Sequence, residues 1–331
     1  MVSTVPLDLP DSQLGVDVTE GLAHVEQGLQ EVARTEDVLL TDASKHLINA
    51  GGKRFRATLV LLAAQFGDPR DRRVVPGAIA IELTHLATLY HDDVMDEAAV
   101  RRGEESANSR WSNTVAILTG DFLFARASQI LADLGPEAIR IQAETFVRLV
   151  TGQVAETIGP AAGQDPLEHY MSVVTNKTAS LIATAGRFGG MLSGAPAGVT
   201  ERIAPACEAL GIAFQLSDDI IDVASDSDQL GKTPGTDLRE GVQTLPMLHA
   251  LRSAGPGNTR LIELLRSADL TDPRLHAEAL ALLRAHPAMA AARADMRGWA
   301  DLARREIEAL PAGSARAAFE ALCDFVVERT G

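Results

Sequence analysis

The sequence predicts an all-α protein, a single-domain helical bundle, on three observations. Aromatic residues make up 4% of the 331 residues, and short alternating β-branched runs between turns are almost absent. Ala, Leu, Glu, Arg and Gln dominate, with apolar residues recurring at spacings of three and four, the period of a helix that buries one face. Glycine and proline cluster at Gly51-Gly52, Gly67-Asp68-Pro69, Gly135-Pro136, residues 159–166, 194–198 and 231–241, and Gly255-Pro256-Gly257, and the segments between them have the lengths of bundle helices.

Composition narrows the function. With 46% hydrophobic and 23% charged residues the chain is globular rather than disordered. Thirty Lys and Arg against 45 Asp and Glu leave a net charge of −15, which argues against nucleic acid or an anionic membrane as partner. Cys207 and Cys323 are far apart and lack metal spacing, which excludes a disulfide framework or zinc ribbon and suits a reducing cytoplasm. Residues 1–15 carry neither a basic n-region nor an apolar h-region and are expected to be loosely held. Residues 16–331 show no compositional break and read as one domain. The longest uncharged run near the start, Ala57–Gly67, is too short to span a bilayer, so no stable membrane anchor is expected.

Taken in chain order, the candidate chemistry begins at Gly51-Gly52-Lys53-Arg54-Phe55-Arg56, where two glycines and three cations open a helix whose positive end suits an anion. The almost wholly apolar stretch Ala78–Tyr90 then runs into Asp92-Asp93-Val94-Met95-Asp96. Ile81, His85, Thr88, Asp92 and Asp96 fall at steps of four, three, four and four, a single helical stripe. Arg101-Arg102 follow as the chain leaves that helix, and Lys177-Thr178 sit inside a later apolar helix. The pattern D-D-x-x-D then returns, after Gly211–Leu216, as Asp218-Asp219-Ile220-Ile221-Asp222. Gly211, Gln215, Asp218 and Asp222 form a matching stripe, and Lys232 lies in the Gly-rich loop beyond it.

With 24 aspartates in the chain, one such pattern would arise by chance only about 0.1 times, so two are not accidental. Carboxylates four apart on a helix repel, and apolar surroundings raise that cost, so a cation must compensate. Oxygen-only donors without Cys or clustered His point to Mg²⁺ rather than zinc. Mg²⁺ keeps waters and bridges substrate phosphates, and cations placed beside the aspartates in so acidic a chain read as diphosphate clamps.

The stretches GGKRFR, THLATLYHDDVMDEAAVRRG, AILTGDFLFARA, NKTASL, FQLSDDIIDV and GKTPGTDLREGVQTLP, in that order from about Lys45 to Met247, resemble the trans-prenyltransferases, the (E)-isoprenyl diphosphate synthases of the polyprenyl synthetase family. The resemblance implies an isoprenoid-synthase bundle around a central apolar cavity. It implies head-to-tail condensation of isopentenyl diphosphate with an allylic prenyl diphosphate, dependent on three Mg²⁺ per active site with substrate bound. Asp92 and Asp96 would ligate Mg²⁺ on the allylic diphosphate, and Asp218, supported by Asp222, would hold a further ion, with Asp93 and Asp219 behind them. Lys53, Arg56, His85 and Arg102 would grip isopentenyl diphosphate. Arg101, Lys177, Gln215 and Lys232, with Thr178 beside them, would meet the allylic diphosphate. The family is usually a homodimer, and apolar segments such as Val115–Leu131 offer an interface. One departure stands out: Val242 follows D-L-x-E-G where the family commonly carries Lys, which removes one cation.

Ala87, Thr88 and Thr84, one to two turns before Asp92, are small, so a product longer than C20 is expected unless Phe146, Met171 or Phe214 closes the tunnel. The alternatives are a short-chain geranylgeranyl or farnesyl diphosphate synthase and a non-catalytic partner subunit. A class I terpene cyclase would leave the GGKRFR and Arg101-Arg102 clamps idle. A metal phosphohydrolase built on His91-Asp92 would want more paired histidines. Tyr90 and Trp111 read as packing residues, and Phe122 and Phe124 as core or interface.

Overall fold

A computed structural model describes residues 12–225, 234–253 and 259–330. The all-α expectation holds: among the described residues there are sixteen α-helices, one π-helical turn and one hairpin of two-residue strands. The helices are α1 (Ser12–Val32), α2 (Val38–Asn49), α3 (Phe55–Ala64), α4 (Val74–Met95), α5 (Ala107–Arg110), α6 (Asn113–Leu134), α7 (Pro136–Ile158) and α8 (Pro166–Val173). The π-turn (Val174–Ala179) leads into α9 (Ser180–Leu192) and α10 (Ala197–Ala224). Then come α11 (Thr236–Glu240), α12 (Leu245–Arg252), α13 (Thr259–Ser267), α14 (Pro273–Ala285), α15 (Ala288–Glu308) and α16 (Ser314–Glu328). Strands β1 (Val100–Arg101) and β2 (Glu104–Glu105) pair antiparallel just after α4.

Helix starts follow local chemistry. Asp37 caps α2 by accepting from the Leu40 N–H at 2.8 Å, and Ser112 caps α6 by accepting from Val115 at 3.2 Å. Asp165 and Asp272 each cap a helix that opens with proline, whose missing N–H costs nothing at that position.

The chain packs as two compact units. The first comprises residues 1–147, 181–207 and 306–321, and the second 148–180, 208–305 and 322–331. In the first unit α4 is the axis, packed against α6, α3 and α1. Ile81, Leu83, Leu86, Ala87 and Tyr90 are all fully buried, so α4 is enclosed on nearly every side. The Tyr90 hydroxyl donates to the Ala43 carbonyl and accepts from the Leu47 N–H at 3.2 Å, which ties α2 to α4. Gly120 lets α6 approach closely, because any Cβ there would meet the His91 ring. By length and composition α6 is the one described helix apolar enough to cross a membrane. Within its unit it packs on α4, α2 and α5 through buried Ala116, Leu123, Ala127 and Leu131. In the second unit α12 and the π-turn pack on α8, and α14 packs on α11, α12 and α13. Arg284 from α14 donates to the carbonyls of Val223 and Ser225, both at 2.6 Å, and so anchors the end of α10.

Candidate active site

In the first unit the GGKRFR loop is built inward on one cation. Arg54 takes a left-handed conformation (φ 46°) at the start of α3 and gives no side-chain cap. Glu82, buried on α4, accepts the Ala57 N–H at 3.0 Å instead. The Arg54 guanidinium is buried, with Nε donating to Glu26 at 3.0 Å and Nη2 to the Ile48 carbonyl at 3.1 Å. Arg54 is therefore structural, while Lys53 is exposed and Arg56 half-buried. Arg102, also left-handed (φ 56°), donates from Nη1 to the carbonyls of Leu47, at 2.9 Å, and Gly51. Gly52 makes room for it: a Cβ there would stand 3.0 Å from the guanidinium carbon.

His85 sits among these cations. Burial first, then the charges of Arg56, Arg102, Arg54 and Arg101, push its imidazole well below the usual histidine range. Burial and the neighbouring arginines lower Arg102 to about 10, with Glu82 opposing. A neutral imidazole ringed by guanidiniums has the chemistry to receive an anion.

The first aspartate motif closes α4. Asp92 is half-buried, and Asp96 is exposed and caps the helix, its N–H donating to the Asp92 carbonyl at 2.8 Å. Asp93 is fully buried: Oδ1 accepts from Arg101 Nε at 2.6 Å, and Oδ2 has no hydrogen-bond partner. Burial raises its pKa and the Arg101 charge opposes that shift. Arg101, expected on a phosphate, thus commits one donor to Asp93.

In the second unit Lys177 and Thr178 lie on the π-turn rather than in a regular helix. Such turns recur at functional sites because they re-aim side chains. Gly152 on α7 comes close beneath, where a Cβ would stand 2.6 Å from the Lys177 backbone nitrogen. The Lys177 ammonium pairs with Glu156. Thr178 donates to Gln215 Oε1 at 3.3 Å, and Gln215 Nε2 donates to Asp219 Oδ1 at 3.1 Å. Asp219 Oδ2 accepts from the Tyr170 hydroxyl and, at 3.1 Å, from the Leu245 N–H. Burial pushes Asp219 up to about 6, against these hydrogen bonds. Burial, then the Asp219 charge, raises Tyr170 well above the usual phenol range. Asp222 is buried and accepts the Asp237 N–H at 3.2 Å, and Asp218 is paired with Arg329. Val242 is 47% exposed, and Lys232 lies outside the described residues.

The structure thus groups Arg56, His85 and Arg102 in one unit, and Thr178, Gln215 and Asp219 in the other. Of the bulky residues considered as a tunnel floor, Phe146 meets Phe124 edge-on at 4.6 Å and Phe214 lies beneath Arg329. Sequence reasoning missed Glu26, Glu82, Glu156, Tyr170 and Arg329. Glu82, a lone acid in an apolar run, was a readable signal, and so was Tyr170, two helical turns before Lys177.

The donor chemistry suits Mg²⁺. Each motif offers carboxylates only, and among the described residues no three His, Cys, Asp or Glu side chains converge into a protein-only cage. One or two carboxylates completed by water and substrate oxygens is the coordination Mg²⁺ prefers.

The polyprenyl synthetase family profile matches residues 37–283. The nonaprenyl diphosphate synthase of Mycobacterium tuberculosis is 51% identical over 326 residues, covering 98% of this chain and 97% of that one. The geranylgeranyl pyrophosphate synthase of Corynebacterium glutamicum, solved with calcium and isoprenyl diphosphate, superposes with a TM-score of 0.88 at 42% identity, covering 98% of this chain and 100% of that one. A decaprenyl diphosphate synthase from Rhodobacter capsulatus gives a TM-score of 0.86 at 34% identity over 97% and 100% of the two chains. With two aspartate motifs, a cation-ringed histidine and these likenesses along its whole length, the chain belongs to the polyprenyl synthetase family.

Proposed function

We propose that the chain joins isopentenyl diphosphate head-to-tail to an allylic prenyl diphosphate and extends it in trans beyond C20. The observation that carries this reading is the set of Arg56, Arg101 and Arg102 around a neutral His85, in a chain of net charge −15, on the unit that also bears Asp92 and Asp96. Such a set is built for a polyanion. Lys53, Arg56, His85 and Arg102 hold the diphosphate of isopentenyl diphosphate, with the neutral imidazole donating one hydrogen bond and the guanidiniums supplying the charge. Arg101, Lys177, Thr178, Gln215 and Lys232 orient the allylic diphosphate.

Asp92 with Asp96, and Asp218 with Asp222, would hold Mg²⁺, three ions per active site with substrate bound. Bound there, Mg²⁺ would supply charge to neutralise the departing diphosphate. The chain's own cations share that work, because the barrier is charge separation and needs no activated nucleophile. Water must be kept from the carbocation, which the enclosed apolar length of α4 favours. The released diphosphate takes the proton.

Small, fully buried Ala87 and Thr84 beneath Asp92 support a long product, as do the names of the nonaprenyl and decaprenyl relatives. One feature favours a stop at C15–C20: Gln142 Nε2 bonds Thr84 Oγ1 at 2.7 Å, a buried polar pair two turns below Asp92. Exposed Ile117 and Leu118 on α6, with Ile139, Phe146 and Val147 on α7, offer a homodimer surface. Cys207 and Cys323 are buried thiols outside any disulfide, which suits the cytoplasm.

Product mass tests the reading. The purified chain, given isopentenyl diphosphate, Mg²⁺ and allylic primers from C5 to C20, should yield a series ending above C20, and Ala87→Phe should shorten it. A series ending at C15–C20 selects the short-chain reading. No product from any primer would leave the chain as a non-catalytic partner subunit.

A further inference from the structure

Arg329 lies just beyond the end of α16, and no motif marks it. Its Nη2 donates to Asp218 Oδ1. Its guanidinium lies over the Phe214 ring, 4.5 Å from the centroid, and 5.8 Å from that of Phe325. Phe214 stands four residues before Asp218 on α10, so one helical face supplies both the carboxylate and the ring beneath the cation. The side chain is only 13% exposed, and Nη1 is buried without a hydrogen-bond partner. The guanidinium is thus held by rings and one carboxylate, with a donor still to satisfy. A buried donor left unmade is costly, and a second acceptor would relieve it.

We propose that Arg329 is the resident counter-ion of the second aspartate motif and makes entry of a divalent cation at Asp218 depend on a diphosphate. The proposal rests on the reading of Asp218 as a metal ligand. A guanidinium and a divalent ion compete for one carboxylate oxygen, and each repels the other. Ring stacking on Phe214 keeps Arg329 in place, so the chain alone binds metal weakly there. A diphosphate presents several oxygens in the fork geometry that a guanidinium matches better than it matches one carboxylate oxygen. Nη1 is the donor that takes the first of them. As Arg329 passes from Asp218 to phosphate, the carboxylate is released to the metal that accompanies the diphosphate. Charge stays balanced throughout, and the site does not fill with metal ahead of substrate.

Mn²⁺ binding to the full chain, measured calorimetrically with and without inorganic pyrophosphate, tests this. Without pyrophosphate, Arg329→Gln should bind Mn²⁺ about fivefold more tightly than wild type, the scale of a partly exposed ion pair. Arg329→Lys, which keeps the charge, should stay near wild type, and pyrophosphate should tighten Mn²⁺ binding less in Arg329→Gln than in wild type. Wild-type affinity in Arg329→Gln at an unchanged Tm would overturn the proposal. Should that variant not fold, Phe214→Leu loosens the guanidinium while keeping both charges and should tighten Mn²⁺ binding about twofold. Unchanged affinity there is equally fatal. Asp218→Asn separates the two layers: Mn²⁺ binding unaffected by that change removes the metal-ligand reading and the proposal with it. Weakened binding there, with no gain in Arg329→Gln, overturns the role of Arg329 alone.

Discussion

Asp93 and Asp219 hold the same place in the same five-residue pattern, and both are buried, but their surroundings differ in kind. Asp93 is held by the cation Arg101 and leaves one oxygen without a hydrogen-bond partner. Asp219 is held by neutral donors, Tyr170, Gln215 and the Leu245 N–H, which together satisfy both oxygens. The outer aspartates also have different surroundings. Asp92 and Asp96 stand on the unit whose arginines crowd His85, whereas Asp218 pairs with Arg329. A repeated pattern in sequence therefore does not repeat the electrostatics, which come from residues far along the chain. One motif is braced by charge and the other by a hydrogen-bond hub.

The largest expected effect lies at the outer positions. Asp92→Ala should lower turnover by about a thousandfold, the upper range for removing one stabiliser of transition-state charge, as read by product formation. Loss of less than tenfold would break the assignment of the first motif. Next comes the charged brace: Arg101→Ala leaves Asp93 buried without its cation and should cost about 3 kcal/mol, seen as a fall in Tm. The neutral hub should be more forgiving. Tyr170→Phe removes one donor of three from Asp219 and should cost about 1–2 kcal/mol. Equal losses in these two variants would erase the distinction between the motifs.

The smallest effect is in pH dependence. Asp219 sits at about 6 in the folded chain, above its ordinary 3.8, so the folded chain holds that proton more tightly than the unfolded one. This contribution favours folding below the unfolded value and is lost as pH rises through the interval to about 6. Asp219→Asn, always neutral, should flatten the fall in Tm across that interval when no divalent cation is added. An unchanged slope would mean that Asp219 is ionised throughout.

How much of this was legible in the sequence follows from the range of the interactions. Helical period placed Ile81, His85, Thr88, Asp92 and Asp96 on one stripe, and the first four lie on α4 with Asp96 as its C-cap, because every step of the stripe is local. Period also placed Lys177 in an apolar segment. It could not reveal the π-turn, since a shift in backbone hydrogen bonding leaves composition unchanged. Partners brought by folding were out of reach: Arg329 is 111 residues from Asp218, and Glu156 is 21 from Lys177. Arg54 shows the same limit from the other side. GGKRFR displays three equivalent cations, and only packing against Glu26 and Glu82 singles out the middle one as structural.

The most direct test of the division between outer and inner aspartates is the number of Mn²⁺ ions bound per chain in the presence of an unreactive allylic diphosphate analogue, measured together with Tm. Asp92→Asn and Asp218→Asn should each lose bound metal at a Tm near wild type, while Asp93→Asn and Asp219→Asn should keep the metal count and alter Tm or its pH dependence. Loss of metal in the inner variants at unchanged Tm, with the outer variants still fully loaded, would contradict the account.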